Sequence, residues 1–241
     1  MPSTVQRIGL VVGVVAGLWG LAAYIQHLKA LDRLPQHNLT FGGDLILGRR
    51  VNIALLDDGL RGEMLEDLEP LLRNADLTLV NGEGVISGGG AFFDKGESRP
   101  YMYRAHPTAV DLLAELGVDI VTVGNNHSMD YGPDALSEML DRIQLAGMDY
   151  TGGGRNLEDA RRGALFQVED TVVAVVGADL TYTRRFGARA DRPGTLYFPG
   201  FDASKEDEVV QGLVQALEQA QQHAHLVFLT PHWGDNFEDQ P

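Results

Sequence analysis

The sequence predicts an α/β domain. Short apolar runs of strand length alternate along the chain with stretches of helical periodicity. Several of those runs are continuous rather than alternating, as in strands buried on both faces, and they break off at glycine, asparagine or aspartate. A hydrophobic content of 44% over 241 residues supplies one sizeable core.

The first element is not part of that core. Residues 1–7 form a short tail, and residues 8–25, IGLVVGVVAGLWGLAAYI, carry no charge. As a helix this stretch spans roughly 27 Å, close to the hydrocarbon thickness of a bilayer. A cleavable signal peptide has a shorter apolar core and a small-residue cleavage site, so the expectation is an uncleaved transmembrane anchor. Arg7 lies on one side and Lys29 and Arg33 on the other, so the charge count leaves orientation open. Residues 26–37 read as a polar linker broken by Pro35.

From residue 38 onward the elements follow in order. Asn38 to Phe41 starts a strand that stops at Gly42-Gly43-Asp44, and Glu63 to Leu72 has the leucine spacing of one helix. Leu77 to Val80 is a buried strand ending in Asn81-Gly82-Glu83. A helix over 107–116 is closed by Gly117. Val118 to Val123 is a second buried strand, ending in Gly124-Asn125-Asn126-His127. Pro133 opens a helix to Ala146. Gly163 to Val168 and Thr171 to Gly177 form a hairpin around Glu169-Asp170. A long helix over 205–224 precedes a last strand, His225 to Thr230, which runs into Pro231-His232-Trp233-Gly234.

Charge and composition exclude several functions. The net charge is −15, with 34 acidic against 19 basic residues, which repels nucleic acid. With no cysteine, thiolate metal sites, disulfides and cysteine nucleophiles are ruled out. A metal here is held by oxygen and imidazole, which suits Mn, Fe, Zn or Mg. The chain offers such donors where they count, because four predicted strands end in Asp44, in Asn81 with Glu83, in Asn126 with His127, and in His232. Sites in open α/β sheets gather at the carboxyl ends of strands. A single such residue is usually a turn or a cap; four in series point to one polar site.

These residues carry a resemblance. The stretch YMYRAHPTAVDLLAELGVDIVTVGNNHSMDYG from Tyr101, the Gly43-Asp44 pair, the N-x-E at Asn81 and Glu83, and the HWG at His232 to Gly234 are similar to the CapA family of poly-γ-glutamate capsule synthesis proteins. The similarity covers about residues 39–234, and NNHxxDYG at Asn125 to Gly132 is its most specific part. The resemblance implies a metallophosphoesterase-like fold, an α/β/β/α sandwich, over residues 38–241, behind an N-terminal transmembrane helix. It implies Asp44, Glu83, Asn126 and His232 as ligands of a divalent metal ion, and His127 as a general acid. Asn81 supports Glu83, binds the metal itself, or with Arg104 contacts the substrate. The implied partners are an anionic envelope polymer such as poly-γ-glutamate and other capsule-synthesis proteins. The implied location is the cell membrane, single-pass, with the soluble domain outside.

Two departures bear on activity. Metallophosphoesterases carry D-x-H at the first strand, where this chain has Ile46, so an altered or mononuclear site is expected. The family's late G-H-x-H-type motif is absent before Pro241, so the domain is expected to be C-terminally incomplete. A metal-dependent phosphoester hydrolase and a non-catalytic polymer-binding component remain the alternatives. Asp130 either orients the His127 ring or caps the helix opened by Pro133, and the cap is the blander reading. His106 reads as a loop or capping residue, and Gly88-Gly89-Gly90 as a flexible loop tip. The arginine pairs 49–50, 161–162 and 184–185 are guides for a polyanion or, more blandly, solvated surface pairs.

Overall fold

The computed structural model describes residues 20–21, 23–26, 37–94, 96, 101–181, 184–199 and 206–234. The chain divides into two units, residues 1–37 and 38–241. In the first, residues 20, 21 and 23–26 are helical, while most of the anchor expected over 8–25 lies outside the described residues. Among the described residues no helix is long and apolar enough to cross a membrane.

The second unit runs β1 (Leu39–Asp44), α1 (Arg49–Leu55), α2 (Asp58–Leu65), α3 (Glu69–Arg73), β2 (Leu77–Asn81), β3 (Val85–Ile86), β4 (Arg104–Ala105), α4 (Ala109–Glu115) and β5 (Ile120–Thr122). It continues with α5 (Gly132–Leu145), β6 (Asp149–Thr151), β7 (Gly153–Gly154), α6 (Leu157–Arg161), β8 (Ala164–Val168), β9 (Thr171–Leu180), β10 (Gly194–Thr195), α7 (Glu206–Gln221) and β11 (Leu226–Trp233). Two larger sheets dominate. One has the order β1-β2-β5-β6 and is parallel throughout, and the other has the order β11-β9-β8, with β11 parallel and β8 antiparallel to β9.

The period of two along the strands sorts their side chains into separate cores. Leu77, Leu79 and Ile120 of the first sheet meet Val173, Val175, Ala164 and Val168 of the second. Val80 and Val121 face the other way, onto Leu113 of α4 and Leu136 and Leu140 of α5. Ala174 and Val176 face Ala216 and Ala220 of α7. The layers are therefore helix, sheet, sheet, helix. Each fully buried Val or Leu contributes about 1.5–3 kcal/mol, so these three clusters hold the layers in place.

The structure departs from the sequence reading in particular places. The helix expected over Glu63 to Leu72 is two, α2 and α3. Pro70 cannot donate within a continuous helix and its ring would meet the carbonyl of Glu66, whereas in the first turn of α3 the missing N–H is no loss. Three-residue β6 and the short helices α1 and α6 fall below what periodicity detects. The last strand extends to Trp233, so His232 lies within it, opposite Asp179 of β9. Pro231 is tolerated there because β11 is an edge strand.

Between α1–α3 and the first sheet a cavity of about 490 Å³ remains, lined by Leu55, Met64, Leu68 and Leu116 among others, with Asp44 also lining it.

Candidate functional site

The two sheets touch where β5, β6 and β9 end or pass each other. A Cβ added at Gly124 would lie 2.9 Å from the Gly152 carbonyl oxygen, and one at Gly177 would lie 2.9 Å from the Gly152 Cα. Gly152 also has φ +79°, which L side chains rarely adopt. Only glycines allow backbone to meet backbone here, and that contact brings polar ends from both sheets to one place. The edge strands meet too, since the rings of Phe41 on β1 and Phe228 on β11 are 5.0 Å apart between centroids.

Asp44 ends β1 after an irregularity in register between Phe41 and Asp44, and it pairs with Asn81 at the end of β2. The Asn81 amide nitrogen donates to Asp44 Oδ1 at 2.7 Å and lies 3.3 Å from His232 Nδ1. Its orientation is fixed because Asn81 Oδ1 accepts from Thr122 Oγ1 at 2.9 Å and from Asn125 Nδ2 at 3.0 Å. An amide nitrogen only donates, so His232 Nδ1 accepts and Nε2 carries the proton, which it gives to Asn126 Oδ1 at 3.1 Å. Burial pushes the His232 imidazole below its ordinary value, against an upward pull from Asp44 and Asp179, with His127 adding to the lowering. The neutral form is the one these contacts need.

A second line runs through His127. Its Nδ1 donates to Asp130 Oδ2 at 2.8 Å, and its Nε2 lies 3.8 Å from Glu83 Oε1. Asp130 is fully buried and also accepts from the backbone N–H of Tyr103 at 2.7 Å. The Tyr103 ring packs on His127 with centroids 4.1 Å apart. Asp130 is thus the orienter of His127 rather than a helix cap; residue 131 holds the cap position of α5 and makes no side-chain cap bond.

Asn125, which the sequence marks only as part of a motif, ties the site together. Its amide nitrogen reaches Asn81 Oδ1 and the Gly82 carbonyl, while its oxygen accepts from the His127 backbone N–H and from Ser128 Oγ. A polar pair directly after a buried strand was the available signal, and it does not say which of the two asparagines faces inward. Asp179 was missed as well. It is fully buried beside His232 and holds Thr181 and Thr195, and burial pushes its carboxyl above the usual range.

Of the sequence-named residues, Asp44, Asn81, Asn126 and His232 form one bonded group, and Glu83 with His127 forms the adjoining line. Arg104 is engaged elsewhere, with its guanidinium 4.2 Å over the Tyr131 ring and Nη1 3.5 Å from the Gly89 carbonyl. Gly88-Gly89 is no free loop tip, since both N–H groups donate to the Glu138 carboxylate at 3.1–3.2 Å. His106 sits in the loop before α4, where its Nδ1 accepts from the Thr108 N–H at 3.3 Å and lies 3.0 Å from Thr108 Oγ1.

In kind, these donors suit a divalent cation without thiolates: carboxylate, imidazole and amide oxygen. In number, no three His, Asp or Glu side chains among the described residues gather closely enough to enclose one. The Asn126 oxygen, 3.1 Å from His232 Nε2, is a further donor of suitable type beside them.

Comparison with known proteins agrees with this layout in extent. The family model described as bacterial capsule synthesis protein PGA_cap matches residues 38–241. The PGA biosynthesis protein CapA of Bacillus subtilis is 24% identical over 84% of this chain and 50% of its own length. The capsule biosynthesis protein CapA of Bacillus anthracis is 22% identical over 98% of this chain and 57% of its own. A Mycobacterium tuberculosis protein named as a probable polyglutamine synthesis accessory protein is 30% identical over 81% of this chain and 60% of its own. The chain thus spans about half to three-fifths of these curated relatives.

Proposed function

The chain belongs to the bacterial capsule synthesis protein PGA_cap family, and from that premise we propose that it serves the synthesis of an anionic envelope polymer of the poly-γ-glutamate type. In this reading residues 8–25 anchor it in the cell membrane, the domain from residue 38 lies outside, and other capsule-synthesis proteins are its partners. The uncharged apolar stretch before the linker supports the anchor.

The observation that carries the reading is the pair of lines meeting at the sheet junction, Asp44–Asn81–His232–Asn126 and Glu83–His127–Asp130. Asp44, Glu83, Asn126 and His232 would hold a divalent metal ion, with Asn81 beside them. Such an ion acidifies a bound water and neutralises an anionic group. His127 is built to hold or deliver a proton at Nε2, because Asp130 occupies Nδ1 and fixes the ring. Arg104 would contact substrate by leaving its present partners, the Tyr131 ring and the Gly89 carbonyl.

A second reading, a metal-dependent phosphoester hydrolase, is supported by the helix–sheet–sheet–helix layering with polar residues of both sheets at one junction. Elemental analysis after dialysis against Mn²⁺ or Zn²⁺ tests the metal: the wild type is expected to retain it and Asp44→Ala and His232→Ala to lose it. Equal retention by all three removes the site. Chain cleavage of poly-γ-glutamate against phosphate release from phosphoesters, each with His127→Ala, then separates the two chemistries, and polymer binding without either turnover favours an assembly role.

A further inference from the structure

We infer that the arch formed by residues 184–192 is a binding strip for an extended polycarboxylate chain. This rests on the polymer reading above and locates where the polymer lies. The arch carries Arg184, Arg185, Arg189 and Arg192 against one acid of its own, Asp191, in a protein whose net charge is −15. It rises beyond the end of β9, the strand that pairs with His232, and is tied back by Thr195 donating to Asp179 and by the Asp179 N–H donating to the Leu196 carbonyl.

The four cations have different tasks. Arg192 builds the arch, with Nη2 donating to the carbonyls of Arg185 at 3.0 Å and Gly187 at 2.8 Å. Its Nε is buried and has no hydrogen-bond partner among the described residues. Burial first and the nearby charge of Arg189 second push the Arg192 guanidinium below its ordinary value, with Asp191 opposing them. Arg185 reaches across to Asp94 at 3.2 Å. Arg184 and Arg189 are exposed and have no side-chain partner among the described residues.

Arg184 and Arg189 lie five positions apart on an exposed segment, each with a planar fork open to solvent. They suit successive carboxylates along a chain, each taken by a planar fork. The rest of the acidic surface repels such a chain, so electrostatics directs it to this strip.

The test is binding of fluorescent poly-γ-glutamate to the full chain at low and moderate salt, with chelator present so that no metal contributes. The double variant Arg184→Ala/Arg189→Ala is expected to bind about tenfold more weakly and with a shallower salt dependence. Arg61→Ala, which removes a cation paired with Asp58 on α2, is expected to bind as the wild type does. Undiminished binding by the double variant overturns the strip while leaving the polymer reading intact. Absence of binding by the wild type overturns both. Equal affinity for inorganic polyphosphate of matched charge overturns the carboxylate assignment.

Discussion

At the scale of single residues, the site is decided by which proton sits on which nitrogen. His127 has one ring nitrogen committed to a buried carboxylate and the other turned towards Glu83. Replacing Asp130 by Asn keeps the shape but removes the charge, so the Tyr103 amide and the His127 ring lose their shared anionic acceptor. The expected cost is about 1–3 kcal/mol in chemical denaturation, and ring ¹⁵N spectra should show the Nδ1 proton no longer fixed. An unchanged midpoint with an unchanged ring spectrum would contradict the role given to Asp130. The residue types at the site were legible in the sequence because asparagine, histidine and aspartate clustered at strand ends. The role of Asp130 was not, because a cap and an orienting carboxylate look the same three positions before a helix. The difference lies in a contact with Tyr103, 27 residues away.

Elements explain how that contact persists. The segment after β3 is stitched to the turn that holds Asp130: Ala91 N–H donates to the Tyr131 carbonyl at 3.1 Å and Phe93 N–H to the Asp130 carbonyl at 3.0 Å. Glu138 on α5 fixes its start through Gly88 and Gly89. Burial acts to raise the Glu138 carboxyl, but the Gly88 N–H, Arg142 and the Gly89 N–H outweigh it and hold it below its ordinary value. A depressed carboxyl stabilises the fold above the unfolded range and loses that contribution as pH falls through the folded value. Glu138→Gln is therefore expected to cost about 1 kcal/mol at pH 7, and the gap should close in acid when urea midpoints are compared at pH 7 and pH 3. A gap independent of pH would mean that charge is not what holds the segment. Buried strands such as β2 and β9 and long helices such as α5 and α7 were readable from apolar spacing. The split at Pro70, three-residue β6 and the clamp on Gly88-Gly89 were not, since each depends on partners distant in sequence.

For the whole molecule, the alternation of strand and helix predicted the class, and the layer order followed from which faces the strands present to which helices. A net charge of −15 works against this compact state through self-repulsion. Screening lengths fall from about 30 Å at 0.01 M salt to about 8 Å at physiological salt, so the melting temperature is expected to rise with added NaCl. Polymer binding at the arginine strip should weaken over the same range, and a fall in both would argue that surface ion pairs, not repulsion, dominate. The glycines at 124, 152 and 177 have the last consequence. Main-chain atoms come in one size, so the gauge between the sheet that ends in Asp44 and the sheet that carries His232 is set by backbone and cannot be retuned by exchanging a side chain at the seam.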